Sequence, residues 1–250
     1  MGGLLDGRVV LVTAAAGAGL GWATARRCAE EGARVVISDV HERRLAEAAE
    51  RLAEVMGDKP AAIPCDVADT GQVDALIERA VEAEGRIDVL VNNAGLGGDR
   101  RVAEMTDEEW DRVVDISLTS VFRATRAALR HMLPRRSGVI VNMASVSGWR
   151  AQVGQAHYAA AKAGVMAFTR CVAMEAAEAG VRVNAVAPSL AMHPFLEKTV
   201  SRELLEELTR REAFGRAADP AEVANVVVFL ASDLSSYMTG EVVSVSSQHP

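Results

Sequence analysis

The sequence predicts an α/β fold, a doubly wound parallel sheet of about seven strands with helices on both faces, built as a single domain over residues 1–250. Short β-branched runs alternate with longer amphipathic helical patterns along the whole chain. The strand runs are continuously apolar rather than alternating, as strands covered on both faces must be. A glycine cluster, Gly17, Gly19 and Gly21, stands directly between the first strand and the first helix. With 250 residues, half of them hydrophobic, the chain can bury a large core, and no stretch reads as a flexible linker.

Taken in order, "RVVLVT" is the first strand and "GWATARRCAEEG" the first helix. "ARVVISD" is a second strand closed by Asp39, followed by the helix "HERRLAEAAERLAEV". "AAIPCD" is a third strand, with Asp66 at its close, followed by the helix "GQVDALIERAVEAEG". "DVLVNNAG" is the fourth strand. A long helix then runs from about Thr106 to Leu133, and the strand "GVIVNMAS" ends at Ser145. A helix from about Gln155 to Ala179 leads into the strand "VRVNAVAP", which ends at Pro188. The helix "PAEVANVVVFLAS" and the strand "GEVVSVS" finish the sheet. One segment breaks the rhythm. Residues 189–216 read as a pair of short helices inserted after the carboxyl end of a strand, where such folds place their ligand crevice, so they are a candidate substrate lid. Its apolar residues Leu190, Met192, Phe195 and Leu196 suit a bulky apolar substrate, and they equally suit the packing of two short helices.

The 27 basic and 34 acidic residues give a formal charge of −7, and the basic residues are interleaved with acidic ones. That argues against nucleic acid and against an anionic membrane as partners. No apolar run approaches the length of a membrane span. The opening "MGGLLDGRVV" has no charged leader followed by an apolar stretch. Cys28, Cys65 and Cys171 are far apart and odd in number, which predicts buried thiols in a reducing cytoplasm rather than a disulfide or a metal site.

Glycines after a first strand let the backbone approach a pyrophosphate, whose charge then lies on the amides opening the helix. An ordinary strand-to-helix turn would carry the same residues. Asp39 is placed to accept hydrogen bonds from an adenosine ribose and to repel a 2′-phosphate, which favours NAD over NADP; its alternative role is a helix cap before "HERRL". Asp66 and Val67 are placed to flank an adenine. On the far half, Tyr158 and Lys162 stand four apart on one helix and share a face. A phenol of pKa about 10 needs a neighbouring cation to act near neutrality, and the Lys162 ammonium supplies one. Ser145 comes out of the sheet thirteen residues upstream, at the mouth where a nicotinamide would lie.

The glycine loop, "NNAG" at Asn92 to Gly95, Ser145, the Tyr158/Lys162 pair and "NAVAP" ending at Pro188 together resemble the short-chain dehydrogenase/reductase family over essentially the whole chain. The resemblance implies that Ser145 polarises a substrate carbonyl, that Tyr158 hands over the proton, and that Lys162 lowers the Tyr158 pKa while holding the nicotinamide ribose. It implies cofactor contacts from Ala16, Gly17, Gly19, Leu20, Gly21, Asp39, Asp66, Val67, Asn93, Ala94, Gly95, Tyr158, Lys162 and Pro188. It implies a homotetramer or homodimer packed on the two long helices, with Val121, Phe122, Met166 and Phe168 as candidate interface residues.

The chain departs from the family pattern at Ala14, where a glycine is usual, at Ser117, where the family carries a catalytic Asn, and at His193, where a Thr that contacts the carboxamide is usual. His193 is either a lid residue without a catalytic task or a donor to the carboxamide or to a substrate thioester. Together "TAAAG", "HERRL", "SSYMTGEVVSVSSQ" and Ser117 at the Asn position are similar to a branch of actinobacterial reductases of steroid-ring degradation, acting on a hydroxy-indane propionyl-CoA thioester. The expected activity is NAD(H)-dependent interconversion of a secondary alcohol and a ketone on a bulky apolar or acyl-CoA substrate. An NADPH-dependent 3-oxoacyl-carrier-protein reductase and a non-catalytic dinucleotide sensor or scaffold are the alternatives. Arg100, Arg101 and Arg150 are candidates for CoA phosphates, or simply solvated arginines.

Overall fold

In the computed structural model, which describes residues 2–194, 196 and 202–247, seven strands form one sheet. They are β1 (Val9–Val12), β2 (Arg34–Asp39), β3 (Ala62–Pro64), β4 (Val89–Asn92), β5 (Gly138–Met143), β6 (Val181–Pro188) and β7 (Val242–Val245). Their order is β3-β2-β1-β4-β5-β6-β7, with every pairing parallel. The chain winds outward from β1 to β3, then returns to β4 on the other side of β1. That reversal opens a crevice at the carboxyl ends of β1 and β4, the place where this architecture receives ligands.

The helices are α1 (Leu20–Glu30), α2 (Glu42–Met56), α3 (Thr70–Glu84), α4 (Asp107–Val114), α5 (Ser120–Arg135), α6 (Ala156–Ala176), α7 (Arg202–Arg211) and α8 (Pro220–Ala231). Side chains alternate along each strand, so β1 sends Val10 and Val12 into a layer with Cys28 of α1, Leu45 of α2 and Val227 of α8. It sends Val9 and Leu11 into the opposite layer, with Leu76 of α3, Ala124 of α5 and Val172 of α6. Both faces are therefore dry, which is why the strands read as unbroken Val/Ile runs.

Three sequence expectations are corrected. The long helix of about Thr106 to Leu133 is three pieces: α4 capped by Thr106, a widened π turn over Asp115–Thr119, and α5, which runs on to Arg135. Such turns concentrate at functional sites, and this one carries Ser117. Of the apolar residues expected on an exposed helix face, Val121 and Met166 are buried in the protein's own core. Phe122 is exposed and meets half-buried Phe168 edge-on at 6.4 Å. Apolar residues on both sides of α5 and α6 made the wrong face readable as the outer one. The cysteines are unpaired, but Cys171 is exposed rather than buried.

The segment after β6 crosses back over the strand ends. Ser189 donates its N–H to Val245 O, Met192 donates to Ala218 O, and Ala191 forms an isolated parallel bridge with Ala218. Of the two short helices expected here, α7 is present; the first falls largely outside the described residues, as does Phe195. Buried Glu212 ties the segment down, accepting from the Ser247 hydroxyl at 2.7 Å and from the Leu190 N–H at 3.4 Å. Among the described residues no helix is long and apolar enough to cross a membrane.

Candidate active site

The turn after β1 is held from β4. Asn93 donates its side-chain amide to Thr13 O at 3.0 Å and Ala14 O at 3.1 Å, while Thr13 Oγ1 accepts from the N–H groups of Asn93 and Ala94 at 3.0 and 3.2 Å. Ala14 is thereby held at φ +52°, in the left-handed region that favours glycine. Gly21 is required: a Cβ there would stand 2.3 Å from Ala14 O and 2.4 Å from Asn93 Nδ2. At Gly17 a Cβ would meet only the Gly19 backbone N, at 3.9 Å, so a ledge stays open above the strand ends. The N-cap of α1 is Gly19, which has no side chain with which to cap the helix. Its first N–H groups lack intrahelical acceptors and face that ledge with the positive end of the helix dipole.

Around the ledge, the Asp39 carboxylate accepts from the N–H of Ala16 at 3.2 Å and of His41 at 3.0 Å. Burial pushes its pKa up, and the Ala16 and Val40 amides together with the Arg44 charge pull the other way. The helix-cap alternative for Asp39 is not realised, since the N-cap of α2 is His41. Ala16 is buried with its amide occupied, and Leu20 packs its side chain on the core. The Asp66 carboxylate closes a tight turn by accepting from the Ala68 N–H at 2.9 Å. Val67 rests against the second core layer, and its carbonyl accepts from Arg123. Pro188, at the end of β6, lies beside Val245 and is buried.

On the other half, Ser145 follows β5 and caps a short turn, its Oγ accepting from the Ser147 N–H at 3.2 Å. The first turns of α6 bring Tyr158 to Ser145, whose hydroxyl hydrogen-bonds the phenol and lowers its pKa. Burial outweighs that bond and leaves the phenol above its ordinary 10. Lys162 is buried one turn further on. Its Nζ donates to Met143 O at 2.7 Å and lies 5.6 Å from the centre of the Tyr158 ring. Desolvation pulls its pKa down to about 8. In this geometry the Lys162 ammonium donates to a carbonyl, and the Tyr158 phenol is set by burial and by Ser145. Gly95 makes room for the lysine, since a Cβ there would lie 3.3 Å from Nζ.

The Ser117 hydroxyl is engaged with the loop after β4. Its Oγ accepts from the Leu96 N–H and donates to the Leu96 carbonyl, both at 2.9 Å. The π turn thus grips the loop that leaves β4, satisfying a peptide that would otherwise be half-buried and unpaired. At the lid, Leu190 and Met192 are pinned by their backbones as described, and Met192 lines a shallow cleft of about 340 Å³ with Leu205, Glu206, Thr209 and Arg210. Leu196 donates its N–H to His193 Nδ1 at 3.3 Å. Arg100, a candidate for CoA phosphates, pairs with Glu109.

Sequence reasoning missed a buried polar row beneath the site. Asn92 donates to Thr125 Oγ1 at 3.0 Å and to Asn142 Oδ1 at 2.9 Å, and Asn142 donates to Thr169 Oγ1 at 2.9 Å. The row joins α5 to α6 through β4 and β5. Its signal is an Asn in each of two apolar strands, and those two Asn are register partners.

Comparison with known proteins agrees with this geometry. The family model described as enoyl-(acyl carrier protein) reductase matches residues 14–247. The chain belongs to the short-chain dehydrogenase/reductase family. It is 66% identical over 249 residues (99% of this chain, 95% of the relative) to the (5R,7aS)-5-hydroxy-7a-methyl-1-oxo-2,3,5,6,7,7a-hexahydro-1H-indene-carboxyl-CoA reductase of Mycobacterium tuberculosis. It is 41% identical to the 3-oxoacyl-acyl-carrier-protein reductase FabG of Thermotoga maritima, covering 96% of this chain and 97% of that one. A crystal structure of a short chain dehydrogenase from Mycobacterium smegmatis superposes with TM-score 0.88 at 61% identity, covering 99% of this chain and 95% of the other. The protein is an oxidoreductase of this family with a nicotinamide dinucleotide as its cofactor, and the similarity to the indene-carboxyl-CoA reductase bears out the resemblance to the steroid-degradation branch.

Proposed function

We propose that the protein is an NAD(H)-dependent oxidoreductase that interconverts a ring ketone and a secondary alcohol on a bicyclic acyl-CoA thioester. The observation that carries the reaction is the convergence of Ser145, Tyr158 and Lys162 at the carboxyl ends of β4 and β5, with an uncapped α1 and an Asp39 carboxylate across the crevice. The residues fit a dinucleotide: the ledge at Gly17 and Gly19 is open, and Gly95 leaves space beside Lys162. When bound, the nicotinamide supplies or accepts the hydride.

The chain's own work is proton management. A phenol, whose ordinary pKa is about 10, is protonated near neutrality, so Tyr158 serves as the general acid when a ketone is reduced. The Ser145 hydroxyl orients that phenol and polarises the carbonyl. Lys162, charged below about pH 8, stabilises the phenolate as it forms and holds the ribose. Ser117 acts by fixing the loop of Asn93, Ala94 and Gly95 rather than by touching the proton path.

The choice of NAD follows from Asp39, whose carboxylate repels a 2′-phosphate. The thioester and the bicyclic ring follow from the 66% identical relative and from the apolar lid at 189–216, which completes a single-domain enzyme. The identity to FabG supports a second reading, reduction of a 3-oxoacyl thioester on carrier protein. Measuring kcat/KM for a bicyclic keto acyl-CoA and for a linear 3-oxoacyl carrier-protein thioester separates the two. The proposal expects the first to exceed the second, and the reverse order would overturn it. Unpaired thiols fit a reducing cytoplasm. Exposed Phe122 and Trp110 on α5 and α4 fit a homodimer or homotetramer packed on these helices; light scattering at the monomer mass would contradict that.

A further inference from the structure

The segment Thr13–Trp22, which faces the ledge, contains no lysine or arginine, and the Ala16 amide within it is already given to Asp39. Beside Asn93, which holds the turn from β4, a second polar side chain at the opening of α1 comes from the segment after β6. A Cβ at Gly19 would meet three atoms of the His193 ring, Cγ at 3.6 Å and Cδ2 and Cε1 at 3.7 Å. Three nearly equal distances mean that the ring lays its face on Gly19. Nε2, bonded to both Cδ2 and Cε1, therefore stands beside the first turn of α1. Nδ1 accepts from the Leu196 N–H, so the neutral ring carries its proton on Nε2 and is a donor there. The backbone bonds from Met192 to Ala218 and from Ser189 to Val245 hold the approach to His193 in place.

We propose that His193 binds the diphosphate of the dinucleotide: Nε2–H donates to a diphosphate oxygen that lies on the α1 amides, rather than to the carboxamide. This rests on the dinucleotide-binding reading of the same site. It differs from both roles the sequence suggested for His193, because Gly19, where the ring sits, marks the phosphate end of the crevice, whereas Lys162 and Tyr158 mark the nicotinamide end.

Binding calorimetry on the wild type, His193→Ala and His193→Gln, with NADH and with ADP-ribose as probes, tests it. ADP-ribose keeps the diphosphate and lacks the nicotinamide. The expected result is that His193→Ala weakens both probes by the same factor, about tenfold or more, as for a lost hydrogen bond to a charged group. His193→Gln, which retains a donor, should recover most of the loss. Loss for NADH alone would place His193 on the carboxamide and overturn the proposal, as would no loss for either probe. A wild type that binds neither probe would instead overturn the dinucleotide reading itself. Unchanged thermal unfolding of the ligand-free variants shows that any loss is not misfolding.

Discussion

The substitution Lys162→Met separates the electrostatic cost of this lysine from its chemical use. The side chain is buried and its pKa is pulled from 10.5 to about 8. A lysine with a depressed folded pKa releases its proton in the folded state before the unfolded one does. Its burial cost is thus fully present below about pH 8 and disappears as pH rises toward 10.5. The gap corresponds to about 3 kcal/mol at 1.36 kcal/mol per tenfold. Methionine removes that cost but leaves Met143 O without its donor, a loss of about 1–3 kcal/mol. At pH 7 the two effects nearly cancel, so the diagnostic quantity is the slope. In a Tyr158→Phe background, where the neighbouring phenol no longer titrates, the protein that keeps Lys162 should gain stability with rising pH relative to the Lys162→Met variant. Urea unfolding at pH 7 and pH 10 should show a relative gain of about 2–3 kcal/mol. Parallel pH dependence of the two proteins would refute the claim that Lys162 is charged at a desolvation cost.

Ala14→Gly should stabilise the fold. A left-handed alanine costs about 1–2 kcal/mol, and glycine's extra freedom when unfolded takes back about 0.5–1. A net gain of about 0.5–1 kcal/mol raises the melting temperature by about 1–4 °C, and a lowered melting temperature would contradict the reading of the φ of +52°. Ser117→Ala should cost about 1–3 kcal/mol by stripping Leu96 of both its partners; stability unchanged in chemical denaturation would mean that the loop holds itself. Asp39→Ala should weaken NADH by about tenfold and strengthen NADPH, measured as dissociation constants side by side, and an unchanged preference would move cofactor selection elsewhere.

The fold was legible because strands buried on both faces leave an unmistakable Val/Ile signature and because caps such as Thr106 and Asp219 announce their helices. Ser145, Tyr158 and Lys162 were legible as a set, since their order and spacing restrict the geometry. What escaped the sequence depends on pairings between distant segments. The π turn at Ser117 answers to Leu96, 21 residues away. The contact of His193 with Gly19 needs the lid to return over the first loop. The Asn92–Asn142 pair needs the register of β4 against β5. The misread faces at Val121 and Met166 and the exposed Cys171 are failures of another kind, in which small apolar residues all round a helix leave its orientation undetermined.

The central claim is that Tyr158 delivers the proton in an NADH-driven ketone reduction. The most direct test is to follow NADH oxidation in a single turnover with a bicyclic keto acyl-CoA, in the wild type and in Tyr158→Phe, with NADH binding measured on both. The account predicts unchanged NADH affinity and a turnover slowed by about 10²–10⁴-fold in the variant. Turnover near the wild-type rate would contradict it.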